Sequence, residues 1–161
     1  MMGPLGWVAV FAAALVGQWV WASEFPFFGY SPQLLLVATV ALAARRGALA
    51  AMSAGFVGGL LGNVGSRRLF GIDALAFVWI AYGVWALSKN VDTSRLMPQC
   101  ALTIFMSWAY AALAIVAGLA FAGAPQWPGW AGCFVVPFYN ALAAAILFEI
   151  LERVEGRRGL R

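Results

Sequence analysis

Long apolar segments, separated by short clusters of charged residues, are the feature that most restricts the fold of this chain. Ten basic and six acidic side chains are spread over 161 residues, so only 10% of the chain is charged. A soluble domain carries about 25% charged residues. A helix of about 20 apolar residues crosses the ~30 Å hydrocarbon layer of a bilayer, whereas barrel strands are shorter and alternate in polarity. The chain is therefore predicted to be an integral membrane protein built from helices.

Six apolar segments are predicted to form membrane-spanning helices, at residues 5–22, 31–44, 48–64, 72–87, 96–121 and 130–151. They predict an all-α polytopic membrane protein, with six transmembrane helices in one bundle and a single domain over residues 1–161. The first segment is not preceded by the basic residues of a secretory signal peptide. We therefore expect it to be retained in the mature protein.

The basic residues are distributed unequally between the two sides of such a bundle. If the N-terminus is cytoplasmic, only Arg67 and Arg68 fall on the outer side. Eight basic residues then fall on the inner side: Arg45, Arg46, Lys89, Arg95, Arg153, Arg157, Arg158 and Arg161. Because cytoplasmic segments of membrane proteins carry the excess of Lys and Arg, both termini are expected in the cytoplasm. The net charge of +4 is attributed to this bias, and no nucleic-acid partner is predicted.

The residue types present argue against metal, haem and common catalytic sites. The chain has no histidine and only two cysteines, so no cofactor and no metal is predicted, and a serine protease would lack its usual base. An aspartyl protease would need two acids within the bilayer, and only Asp73 lies near a predicted span. No enzymatic activity is therefore expected. Cys100 and Cys133 begin consecutive helices on opposite membrane faces, so we expect two free thiols.

Glycine is concentrated between residues 55 and 75, which hold six of the eighteen glycines of the chain. Gly55–Gly59 and Gly58–Gly62 are each four residues apart, the spacing that lets membrane helices approach closely. A single stripe of small residues is predicted along the third helix, formed by Ala48, Ala51, Gly55, Gly58, Gly62 and Gly65. Packing within the chain is the simplest explanation of this stripe. Contact with a partner helix and a ligand groove remain open.

Polar residues follow the glycines at the predicted outer end of the third helix. Asn63 lies near that end, Arg67 and Arg68 lie in the turn, and Asp73 lies in the first turn of the fourth helix. An acid at a helix N-terminus is favourable by roughly 0.3–1 kcal/mol. We expect Asp73 to stabilise the helix start and to pair with one of the arginines. A proton relay is the alternative, which the absence of a second nearby acid disfavours.

The sixth apolar segment contains a proline and several polar residues. Pro137 predicts a kink, and Asn140 is expected to face protein, where its amide can form hydrogen bonds across helices. Glu149 and Arg153 are four residues apart in the favourable order for an ion pair. Contact of Glu149 with a partner is the alternative.

Several of these motifs resemble the MreD family, the integral membrane component of the bacterial rod-shape system. The resemblance begins at Pro32, which opens the leucine run of SPQLLLV. It continues through Gly55–Phe56, through Gly59–Leu60–Leu61, and through LFGIDAL at residues 69–75. Near the C-terminus, Pro137, Asn140 and Glu152–Arg153 match the family pattern. One position departs from it, because Asn63 stands where the family usually has an acid.

The resemblance implies a non-catalytic role in the bacterial cytoplasmic membrane. Proteins of this family bind the single-span protein MreC, and they act with MreB, with RodA and with its partner transpeptidase in sidewall peptidoglycan synthesis. The family fold is similar to that of S components of energy-coupling-factor transporters. The transmembrane helix of MreC is expected to dock on a face that includes part of the glycine stretch. A homo-oligomer remains possible, and membrane lipid is expected around the spans.

An S component that binds a vitamin or a metal is the main alternative function. Such a protein would share the size and the six spans, and Ala9, Ala13 and Gly17 could form its docking stripe. A site for a polar ligand also needs convergent polar groups near the outer face. The predicted outer loops, EFPFFGY at residues 24–30 and GAPQWPGW at residues 123–130, are aromatic and poor in such groups.

Overall fold

The part of the chain that the structure describes forms six α-helices. The computed structural model of the protein describes residues 3–24, 29–64, 71–93, 95–121, 123, 125 and 127–156. Within these residues the helices are α1 Pro4–Glu24, α2 Leu34–Arg46, α3 Ala48–Asn63, α4 Ile72–Ser88, α5 Leu96–Phe121 and α6 Gly129–Val154. The prediction of an all-helical chain with six helices is confirmed. The largest differences are of three residues: α2 begins at Leu34 rather than at residue 31, and α6 ends at Val154 rather than at residue 151.

The helices differ in their ability to cross a membrane. Helices α1, α5 and α6 are long and apolar enough to span one. Helices α3 and α4 are apolar but shorter, with 16 and 17 residues. Helix α2 has 13 residues, which corresponds to a length of about 20 Å.

Helix α2 forms the centre of the bundle. All nine of its residues from Leu35 to Ala43 are buried, and it contacts each of the other five helices. A helix that is apolar on all sides belongs in the interior of a protein. Because the other five helices surround α2, its length does not have to match the thickness of the bilayer.

Helix α1, in contrast, lies at the periphery of the bundle. Trp7 is its only buried residue, and its neighbours are α2 and α3. Most of its surface is left uncovered by the rest of the described chain.

Several predicted features lie outside the described residues. These are most of the aromatic loop at residues 25–28, the turn that contains Gly65, Arg67 and Arg68, and the tail that contains Arg157, Arg158 and Arg161. Cys100 and Cys133 are both free thiols, as predicted.

Candidate functional site

Two glycines of α3 place this helix in direct contact with α4. A Cβ atom added to Gly59 would lie 2.5 Å from the Cα atom of Ala74, and one added to Gly55 would lie 3.2 Å from the Cβ atom of Phe77. Carbon atoms in ordinary contact are about 3.5–4.0 Å apart. Glycine at these positions therefore permits an approach of the two helices that a larger residue would obstruct.

The other two glycines of α3 face different neighbours. A Cβ atom on Gly58 would lie 3.3 Å from the ring of Phe11 on α1, and one on Gly62 would lie 3.0 Å from the side chain of Leu35 on α2. A Cβ atom on Gly55 would also lie 3.2 Å from the side chain of Thr39 on α2, so Gly55, Gly58 and Gly62 of the predicted stripe all have α2 as a neighbour, whereas the face with Gly59 meets α4. Both faces contact helices of the same chain, which is the simplest of the three explanations left open by the sequence.

A polar cluster joins the end of α3 to the start of α4 and to α5. The hydroxyl of Tyr110 donates a hydrogen bond to Oδ1 of Asp73 at 2.5 Å. The orientation of the Asn63 amide is assigned from its neighbours: its nitrogen donates to Oδ2 of Asp73, and its oxygen accepts from the backbone N–H of Gly71 at 3.1 Å. Both carboxylate oxygens of Asp73 are therefore engaged by groups of the same chain.

This cluster gives Asn63 a structural role beside Asp73. Asp73 lies in the first turn of α4, as predicted, and the amide of Asn63 can donate to its carboxylate. A second carboxylate at position 63 would repel it. The predicted ion pair with Arg67 or Arg68 lies outside the described residues, and Tyr110 is a partner of Asp73 that sequence reasoning missed.

Asn140 of α6 stabilises the buried N-terminus of α2. Its Oδ1 atom accepts from the backbone N–H of Gln33 at 2.7 Å, and its Nδ2 atom donates to the hydroxyl of Ser107 at 2.9 Å. Gln18 of α1 accepts from the N–H of Leu35 at 3.2 Å. The first N–H groups of a helix have no partner within that helix, so side chains from α6 and α1 satisfy them here. Asn140 is fully buried, in agreement with the expectation that it bonds across helices.

Pro137 creates a second contact between α5 and α6. Proline has no backbone N–H, so the carbonyl of Cys133, four residues earlier, lacks its usual partner within the helix. The indole N–H of Trp108 donates to this carbonyl at 2.8 Å. The predicted kink at Pro137 stays a prediction, whereas this bond shows how the freed carbonyl is satisfied.

A buried cation joins the opposite end of α2 to the end of α6. The guanidinium of Arg45 lies 2.6 Å from the carboxylate of Glu155 and 3.9 Å from that of Glu152, and it also stacks over the ring of Phe148. The side chains of Arg45 and Glu155 are only 7% and 3% exposed. On the neighbouring surface, Arg153 pairs with Glu149 at 3.0 Å, as predicted.

A small cavity and a larger groove lie among the described helices. A cavity of about 60 Å³ lies between α5 and α6 beside Gln33 and Ser107, which is enough for a few water molecules. A larger groove of about 670 Å³ separates α1 from α2 and α3. It is lined by Pro4, Trp7, Val8, Phe11, Ala12, Leu15, Leu35, Leu42, Arg46, Ala50, Ser53, Ala54, Val57, Gly58 and Leu61.

The groove is mainly apolar, and its charged residue, Arg46, lies at one end. Within the described parts of the chain, no three side chains of the Asp, Glu, Cys or His type are grouped so that they could bind a metal ion. Among the polar side chains of the interior, Asn140 bonds to Ser107 and to the start of α2, and Thr39 donates to a carbonyl of its own helix.

Comparison with known protein families shows to which family the chain belongs. The family described as rod shape-determining protein MreD matches residues 3–152. The chain belongs to the MreD family. It is therefore a rod-shape-determining membrane protein, of a family associated with the cell-shape machinery.

Two other comparisons gave no match. Neither the curated proteins nor the solved structures contain a detectable relative of this chain. The likeness to S components therefore rests on the sequence resemblance alone.

Proposed function

We propose that this MreD-family protein is a non-catalytic component of the elongasome that binds MreC within the bacterial cytoplasmic membrane. All six helices form one transmembrane domain in this proposal, with both termini in the cytoplasm. RodA, the elongation transpeptidase and MreB belong to the wider complex. The excess of basic residues on the side of the termini supports this orientation.

The observation that carries the proposal is the exposure of α1. An outward face of this helix has the small residues Ala9 and Ala13 at its centre, with Leu5, Val16 and Val20 around them, and all five are exposed. Small residues four positions apart permit close packing of helices in lipid, where no hydrophobic force drives association. This face fits a single transmembrane helix such as that of MreC.

The glycine face of α3 is a less suitable docking surface than the sequence suggested. Gly55 and Gly59 are covered by α4, and Gly62 contacts α2. Gly58 borders the groove beside α1, so a partner could approach the glycine stretch only there. We therefore place MreC on the outward face of α1 and treat docking at Gly58 as the competing hypothesis.

The experiment is co-purification of MreC with the tagged full-length protein from its native membrane. Ala13→Leu places a large side chain on the outward face of α1, and we expect it to lower the recovery of MreC severalfold. Ala112→Leu is the matched control, because Ala112 is also exposed but lies on α5. Membrane insertion and yield of both variants are measured in parallel.

Other results would contradict one part of the proposal or all of it. Normal recovery of MreC with Ala13→Leu, together with a loss with Gly58→Leu, would place the partner in the groove instead. Recovery of a transporter ATPase and its membrane subunit would identify an S component.

A further inference from the structure

The groove between α1, α2 and α3 is shorter than the hydrocarbon layer of a bilayer is thick. Its lining runs from Pro4 to Leu15 on α1 and from Ala50 to Leu61 on α3. Each wall therefore spans eleven residue steps, or about 16 Å along the helix axis. The hydrocarbon layer is about 30 Å thick, so the groove is about as long as one leaflet is thick.

The end of the groove nearest the chain termini is its polar end. Arg46 is the last residue of α2 and is exposed, and no ion pair to it occurs within the described part of the chain. Its neighbour Arg45 is buried against Glu155, so the two adjacent arginines have different environments. Arg46 leaves a positive charge at the mouth of an apolar groove.

A buried hydrogen-bond donor lies at the same end. Trp7 is 5% exposed and lines the groove. Its indole N–H has no acceptor among the described residues. Buried tryptophan N–H groups normally have a partner. Because the Trp7 nitrogen is enclosed, an oxygen atom in the groove would reach it once the ring turns toward the groove.

We propose that the groove binds one anionic phospholipid from the leaflet on the side of the termini. One acyl chain lies along the apolar walls between α1 and α3. The phosphate lies against Arg46, and a phosphate or ester oxygen accepts from the N–H of Trp7. The apolar walls, the cation and the N–H group of the groove would then contact the acyl chain, the phosphate and an oxygen atom of the lipid.

The depth and polarity of the groove favour a phospholipid over a protein helix. A transmembrane helix needs about 20 residues to cross both leaflets, whereas the groove extends along about twelve residues of α1 and of α3. A cation at the mouth matches a phosphate, because basic residues near a membrane surface attract anionic lipids. The outward face of α1 proposed for MreC lies on another side of that helix, so both ligands can bind together.

Native mass spectrometry of the delipidated full-length protein tests this site. The protein is mixed with equal amounts of phosphatidylglycerol and phosphatidylcholine that have the same acyl chains. We expect one retained lipid per protein, with a preference of about fivefold for phosphatidylglycerol, the ratio expected from one basic residue near a membrane surface. Arg46→Gln should abolish the preference. Arg95→Gln should keep it, because Arg95 is exposed and distant from the groove in the sequence and fold.

A second pair of variants tests the location of the acyl chain. Ala50→Trp fills the groove near its mouth at an exposed position, so it should lose both lipids without loss of folding. Ala112→Trp, on the exposed face of α5, is the control and should retain the lipid. Trp7→Phe keeps an aromatic ring but removes the N–H, and it should weaken retention of both lipids.

Three results would overturn the proposal. These are an unchanged lipid preference in Arg46→Gln, unchanged retention in Ala50→Trp, and displacement of phosphatidylglycerol by an equal amount of a polyprenyl phosphate. Release of the lipid by a peptide of the MreC transmembrane helix would assign the groove to the protein partner. Recovery of MreC with Ala50→Trp separates the two proposals, since that variant should lose the lipid and keep MreC.

Discussion

The close contact between α3 and α4 predicts that Gly59→Ala destabilises the protein. The added Cβ atom would lie 2.5 Å from both the Cα and the N atom of Ala74, and 2.8 Å from the carbonyl carbon of Asp73. These are backbone atoms and cannot rotate away. Since ordinary contacts between such atoms measure about 3.5–4.0 Å, the two helices would have to separate by roughly 1 Å.

Two opposing effects set the magnitude of this change. Overpacking of a close contact costs typically 1–3 kcal/mol, and replacement of a helical glycine by alanine recovers up to about 1 kcal/mol of helix propensity. We therefore expect a net loss of about 1–2 kcal/mol in the free energy of unfolding. Movement of α4 would also disturb the hydrogen bonds of Asp73, which adds to this loss.

Gly83→Ala is the matched control for this substitution. Gly83 also lies within a helix, but a Cβ atom there would lie 3.6 Å from the flexible end of Met106, which is an ordinary contact. We expect a change between zero and about 1 kcal/mol of stabilisation. The free energy of unfolding of both variants is measured by titration with a denaturing detergent. If Gly59→Ala were as stable as Gly83→Ala, the contact between α3 and α4 would be looser than the structure indicates.

Two further predictions concern the ends of α2, with the same unfolding measurement. Arg45→Gln should lower the free energy of unfolding by about 1.5–3 kcal/mol, because it removes a charged hydrogen bond from a buried pair. Arg95→Gln breaks only an exposed pair, so it should change the free energy of unfolding by less than about 0.5 kcal/mol. Asn140→Leu should cost about 1–3 kcal/mol by leaving the buried N–H of Gln33 without its acceptor. Ser107→Ala should cost less, because that acceptor remains. An equal loss in the two variants would mean that Asn140 does not stabilise the start of α2.

The positions of most helices could be read from the sequence, because apolar runs end at polar or helix-breaking residues. The predicted starts at residues 48, 72 and 96 agree with those of α3, α4 and α5. The predicted start of α2 was wrong by three residues. Pro32 suggested an earlier beginning, whereas the observed N-terminus is stabilised by side chains of α6 and α1.

Contacts within one helix could be predicted, and contacts between helices mostly could not. Glu149 and Arg153 are separated by four residues, a distance that helix geometry fixes. The partners Tyr110 and Asp73 are 37 residues apart, and their meeting depends on which helices are neighbours. The sequence did contain a signal for one contact that we did not predict, between Trp108 and the carbonyl of Cys133. Pro137 has no N–H to bond to the carbonyl four residues earlier, so a donor from another helix could be expected there.

Hydrogen bonds and an ion pair hold the centre of the bundle together, whereas α1 at its periphery has an uncovered surface. Helix α2 is too short to cross a bilayer alone, and it is stable there because other helices satisfy its first N–H groups and Arg45 joins its last turn to α6. Helix α1 contributes Gln18 to that arrangement but leaves its outward face and the wall of the groove uncovered. The centre can therefore keep its geometry while ligands bind at the edge. This is why we place both the protein partner and the lipid on α1 rather than in the polar interior.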